Sequence, residues 1–137
     1  MRVAFGSDEG TPLSDEVTAA LAAAGHEVVL RVEDEPWPDV GRWVGEAVVA
    51  GQADRGIVCC WTGTGVSIAA NKVPGVRAAL CTDAETARGA RRWNDANVLA
   101  LGLRLTTPAT AREMLDAFLT PQPAAEEAAN ITRVTDG

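Results

Sequence analysis

Short apolar runs alternate with amphipathic segments along the chain, and the alternation repeats five times. "RVAFGS", Arg2–Ser7, has the length and character of a strand. Leu13, Val17, Ala20, Leu21 and Ala24 then recur at helical spacing, with Gly25 placed to end the helix. His26–Val32 reads as a second strand. A charged, proline-broken loop follows, and Val40, Trp43, Val44, Ala47 and Val48 mark one face of a helix near Asp39–Gln52. Arg55–Trp61 is an almost wholly apolar, buried strand. The next helix, about Val66 to Lys72, stops before Pro74, since the residue preceding proline avoids the helical region. Val76–Thr82 predicts a strand, and "DAETARGARRWN" a helix that Asp83 can cap. Asn97–Arg104 is the last strand. Thr107–Leu119 is the last long helix, with Thr107 and Pro108 as cap and first-turn residues. The tail, 121–137, has no firm periodicity and is set apart from a single domain over 1–120.

Five strands separated by helices imply parallel pairing through right-handed crossovers, with helices on both faces: an α/β fold in three layers, α/β/α. Ligands of such sheets gather at the carboxyl ends of strands, near a switch in strand order. Three polar turns are therefore expected on one edge: Ser7–Thr11, Trp61–Ser67 and Thr82–Ala84.

Composition narrows the function. The chain has 137 residues, enough for one domain with a real core, and a formal net charge of −7. That balance argues against a nucleic-acid partner, and it makes a polyanionic substrate less natural. No apolar run approaches the ~20 residues of a membrane span. The start, "MRVAFGSDEG", lacks a secretory core, so a cytoplasmic protein is expected. Cys59, Cys60 and Cys81 form no disulfide framework. Adjacent strand residues face opposite ways, and the single histidine, His26, completes no ligand spacing, so no metal site is expected.

"CCWTGTGVSIAANK", Cys59–Lys72, carries the chemistry. It is no phosphate-binding Walker loop, because Lys72 lies a whole helix beyond the glycines. It is no dinucleotide fingerprint, because isoleucine stands in the third glycine place and the turn follows the third strand. What remains is a strand delivering Cys60, Gly63 and Gly65 allowing close backbone approach, and a helix aiming its positive end there. Such a turn can hold an oxyanion and lower a thiol's pKa from about 8.5. A glycine turn beside an inert, buried cysteine has the same residue pattern.

"CCWTGTGVSIAANKVPGVRAALC" followed by "RRWNDANVLALGLR" resembles the sugar-phosphate isomerases of the ribose-5-phosphate isomerase B and galactose-6-phosphate isomerase family. The likeness runs over essentially the whole domain. It implies a Rossmann-like five-stranded parallel sheet and aldose–ketose interconversion through a cis-enediolate, with neither metal nor cofactor. By position, the resemblance makes Cys60 the base and Thr62 a proton shuttle on the oxygens. Gly63, Thr64, Gly65, Val66 and Ser67 become the oxyanion turn, and Asp8 a contact to substrate hydroxyls. Asn94 becomes a residue donated by a second subunit, so a homodimer or tetramer is implied, with the tail packing on a partner. Some relatives use a glutamate where this chain has Val66, leaving the cysteine as the available base.

Departures from the family pattern bear on the substrate. Glu9 replaces a histidine that helps bind phosphate, and Trp93 replaces the histidine that opens the sugar ring. Glu126 and Glu127 lie where the tail usually supplies arginines, with Arg133 remaining. Trp61 replaces a glycine. Trp37 lies near the pocket in relatives, so Trp37, Trp61 and Trp93 are candidate pocket-lining residues; Arg91, Arg92 and Arg133 are possible anion contacts. The expectation is an isomerase acting on a small polyol, sugar or sugar phosphate other than ribose 5-phosphate. A non-catalytic binding homologue, and a ribose-5-phosphate isomerase with a rebuilt anion site, are the alternatives.

Overall fold

A computed structural model describes residues 1–120 and 122–136. Among them, five strands and six α-helices follow in order: β1 Arg2–Ser7, α1 Pro12–Ala23, β2 Glu27–Glu33, α2 Trp37–Val49, β3 Arg55–Cys60, α3 Thr64–Asn71, β4 Ala78–Leu80, α4 Ala84–Asn94, β5 Val98–Gly102, α5 Pro108–Leu119 and α6 Ala128–Asp136. A single 3-10 turn, Ala125–Glu127, leads into α6. The strands form one parallel sheet in the order β2-β1-β3-β5-β4. The order reverses direction between β1 and β3, which places the switch point beside the end of β3.

Strand alternation divides the core in two. Ile57 and Cys59 point into a layer with Val3, Phe5, Leu99 and Leu101, covered by α1, α4 and α5. Val58 and Cys60 point the other way, toward α2 and α3 through Val40, Val44, Val66 and Ala70. The two adjacent cysteines thus belong to different cores. Caps follow the local sequence: Asp83 accepts from the Thr86 amide at 2.8 Å, and Thr107 from the Thr110 amide at 3.1 Å. Thr11 and Ser14 close a reciprocal capping box at the head of α1.

Three departures from the expected elements have local causes. β4 is three residues long instead of Val76–Thr82, because the Arg77 amide donates to the Asn97 side chain at 2.7 Å. α3 begins at Thr64, two residues early, since Gly63 takes a left-handed conformation (φ 79°) that turns the chain directly into the helix. The tail contains a full helix, α6, built on few large apolar residues, chiefly Ile131 and Val134. It is tied to its own chain where the Ala124 amide donates to the Arg92 carbonyl at 2.7 Å. Residues 121 and 137 of the expected tail lie outside the described residues.

α2 crosses α3 closely at Gly41, where a Cβ atom would come 2.7 Å from the Ala69 Cβ and 2.8 Å from the Val66 carbonyl oxygen. Backbone cannot yield there as a flexible side-chain tip would. Gly41→Ala should cost about 1–3 kcal/mol in a denaturant titration, as overpacked cores do. A cost within error of zero would mean that α2 and α3 can separate freely.

Candidate active site

β1 and β3 bring the first two turns together at the switch point. The Asp8 amide donates to the Cys59 carbonyl at 3.1 Å, so the first turn begins against the end of β3. Buried Ser7 holds that turn by donating its hydroxyl to the Glu9 carbonyl at 2.7 Å. The Gly10 amide donates to Asp34 at 2.7 Å. Asp8 is half-buried and its Oδ1 has no hydrogen-bond partner, an acceptor left open. Burial first, and the neighbouring Glu9 charge second, raise its pKa above the ordinary aspartate value.

Cys60 ends β3 and is 5% exposed, with its side chain on the α2–α3 side of the sheet. Cys59 is wholly buried behind it, and burial pushes its thiol far up. Cys81 is also buried, its thiol pushed up to about 11. After Cys60 the chain bends, and the Thr62 and Thr64 hydroxyls lie 2.9 Å apart. α3 has no side-chain cap. The amides of Thr64, Gly65 and Val66 make no backbone hydrogen bond, whereas that of Ser67 donates to the Gly63 carbonyl at 3.2 Å. Three open donors at a helix N-terminus suit an anion or a developing oxyanion. Ser67's amide, expected in that set, is already engaged.

The glycines have other work than the sequence suggests. A Cβ on Gly63 would lie 2.9 Å from backbone atoms of Leu101 and Gly102, and one on Gly102 2.9 Å from the Thr62 carbonyl oxygen. The turn is therefore seated on the end of β5. Gly65 faces the Trp37 ring, where a Cβ would sit 3.0 Å from ring carbons. That contact places Trp37 against the turn.

Trp61 and Trp93 are 57% and 55% exposed, so in the single chain their rings do not fill the core of the site. Trp93 and Asn94 do not join Cys60. They end α4 ahead of β5, whereas Cys60 pairs with Gly102 at the far end of that strand. Four strand steps separate the ends of β5, about 13 Å. Trp93 and Asn94 instead line a groove of about 480 Å³ with Arg77, Glu127, Asn130 and Ile131 among its walls.

The arginines divide. Arg91, a possible anion contact by sequence, is 1% exposed and donates to Asp95 at 2.8 Å and to the Ala96 carbonyl at 2.7 Å. It is a core cation, held from within the chain by a carboxylate it shares with Arg77, and cannot meet a ligand at the surface. Arg92 and Arg133 are exposed and lie outside the groove's walls. Arg104 was not foreseen. It is exposed, and its amide donates to the Trp61 carbonyl at 3.0 Å, beside Cys60. Its place just after the fifth strand was the available signal.

The Ribose/Galactose Isomerase family model matches residues 3–136. This chain belongs to that family. It is 40% identical over 126 residues to ribose-5-phosphate isomerase B of Escherichia coli K12, covering 88% of this chain and 85% of that protein. It is 36% identical over 126 residues to 4-deoxy-4-sulfo-D-erythrose isomerase of Clostridium sp. MSTE9, covering 88% of this chain and 79% of the other. The structure of ribose-5-phosphate isomerase B from Clostridium thermocellum superposes with a TM-score of 0.90 at 39% identity, over 99% of this chain and 96% of that one. The parallel α/β sandwich and the isomerase class expected from sequence are therefore those of its relatives.

Glu9→Gln should lower the Asp8 pKa, because it removes the repulsion while leaving burial in place. With its folded pKa raised, Asp8 contributes stability at low pH that is lost as pH rises through that value. The variant should gain stability above the carboxylate range and be unchanged well below it. A carboxyl-carbon NMR titration checks this; an unmoved Asp8 would show that Glu9 does not act on it.

Proposed function

We propose that this chain is an aldose–ketose isomerase that moves one proton between adjacent carbons, with Cys60 as the base. The reading is supported chiefly by one observation: Cys60, the open amides of Thr64, Gly65 and Val66, and the unpartnered oxygen of Asp8 all belong to turns meeting at the switch point. The Cys60 thiolate takes the proton from the carbon beside the carbonyl. The electron pair moves into a carbon–carbon double bond, giving a cis-enediolate whose charged oxygen faces the α3 amides. The same thiol returns the proton to the neighbouring carbon, while Thr62 relays a proton between the two oxygens. Asp8 accepts from a substrate hydroxyl and so fixes the orientation of the chain.

Asn94 completes the site from a second copy, since its own Cys60 lies at the other end of β5. The active unit is therefore a homodimer or a larger assembly of such pairs. The substrate differs from ribose 5-phosphate, because Trp93 has neither acid nor base to open a furanose ring, and Glu9 repels a phosphate.

Deuterium uptake from solvent into aldoses and ketoses, phosphorylated ones included, tests the chemistry. Cys60→Ala should lower exchange by about 10²- to 10⁴-fold or more. No exchange by the unmodified protein across the panel would defeat the reading. Mixing separately inactive Cys60→Ala and Asn94→Ala proteins tests the shared site. Half of the re-formed dimers carry one intact site of two, so about a quarter of the activity should return. No recovery after verified subunit exchange would place Asn94 outside the site.

A further inference from the structure

The hydrogen bond between the Thr62 and Thr64 hydroxyls caps no helix, since α3 has no side-chain cap. Both residues are exposed, and at 2.9 Å each hydroxyl has the other as its only hydrogen-bond partner among the described residues. Resting on the isomerase reading, we infer that Thr64 is a positioning residue for the proton relay. Its hydroxyl donates to the Thr62 oxygen and so aims the Thr62 proton at the substrate.

The two residues are held by different parts of the chain. The Thr62 carbonyl is seated on the end of β5, where a Cβ on Gly102 would come within 2.9 Å of its oxygen. Thr64 opens α3, and the left-handed Gly63 between the two sets the direction of that helix. Both side chains branch at Cβ, which restricts their rotamers. The pair is thus fixed from both sides.

A hydroxyl has one proton to give and two lone pairs with which to accept. Isomerisation asks Thr62 to give one proton and take one. Once Cys60 has taken the C2 proton of an aldose, the enediolate has its charge on O1 and a proton on O2. Thr62 gives its own proton to O1 and takes the proton from O2. One O–H bond forms at O1, one breaks at O2, and Thr62 is regenerated. The charge is then on O2. The thiol's proton goes to C1, and O2 becomes the ketose carbonyl. Throughout, one lone pair of Thr62 is left over, and Thr64 lies within hydrogen-bond distance of it. A Thr62 proton directed at Thr64 would be turned away from the substrate. An oxyanion that claims that proton leaves Thr64 as the donor of the pair, and charge-assisted bonds of this kind are the stronger ones. The Thr64 proton and the positive end of α3 then both favour the charge that passes through the Thr62 oxygen.

Proton NMR in deuterium oxide on the full chain separates two rates: deuterium entering the starting sugar, and isomer formed. The probes are D-ribose, D-ribulose, D-erythrose, D-erythrulose and their terminal phosphate esters. An enediolate whose oxygen-bound proton is not relayed returns to the starting sugar, now labelled. Thr64→Val keeps the shape and removes the hydroxyl. It should slow isomer formation about tenfold and leave labelling of the starting sugar within about twofold, so the ratio of labelling to conversion rises at least about fivefold. Thr64→Ser should restore the ratio of the unmodified protein. Thr62→Val should raise the ratio as far or further, and adding Thr64→Val to it should change it no more. Thr64→Ala should give the same rise as Thr64→Val and decides the matter if the valine variant does not fold. Both rates falling together in these variants, or neither changing, overturns the inference while Cys60-dependent labelling keeps the isomerase reading. Absence of labelling and conversion by the unmodified protein removes both.

Discussion

The seating of one backbone turn on the end of one strand is the contact on which the rest of the site depends. Thr62–Gly63 crosses Leu101–Gly102 at a distance that leaves no room for a Cβ on either glycine. Gly63 also adopts a positive φ, which costs other residues roughly 1–3 kcal/mol. Together these fix where α3 begins and in which direction its amides point. Cys60 is set by the register with β5, since it pairs with Gly102, the residue that receives the turn. Cys60 and the open amides of α3 are thus positioned by the same strand end, and neither is placed by a long, flexible side chain.

The opposite edge of the sheet is organised by a charge. Asp95, in a left-handed conformation after α4, receives both Arg91 and Arg77. Arg91 is nearly inaccessible, so its pairing offsets a large desolvation cost. This pair orders the α4–β5 connection and leaves Trp93 and Asn94 at its margin. The two edges then have different characters. One carries Cys60 and the glycine turn, and the other carries an aromatic ridge, amides and the tail helix. Within one chain these two groups of residues lie at opposite ends of β5 and do not meet.

Much of this was legible in the residue pattern. The strand and helix order, the Asp83 and Thr107 caps and the opposed faces of Cys59 and Cys60 follow from periodicities of two and 3.6 and from local hydrogen bonding. The tail helix was not, because Ala124–Val134 offers few apolar residues and draws its support from α4. Arg91 read as a surface cation because its helix position is terminal; only the packing of α4 on α5 and Phe118 turns it inward. Arg104 was overlooked because nothing in "GLRLTT" marks it apart from its place beyond a strand. Its nearness to Trp61 arises from pairing with a residue about forty positions earlier.

By itself, the sequence determined the layered parallel fold and the strand, glycine turn and helix that follow one another around Cys60, since both depend on short-range patterns and residue types. Tertiary structure decided which amides are open, which arginine is spent inside the core, and that Trp93 and Asn94 share a groove with Glu127 instead of with Cys60. Those outcomes depend on strand order and on contacts between residues far apart in the chain. Local propensity carries no information about them, because the same side chain has a different charge environment at either end of a β-sheet.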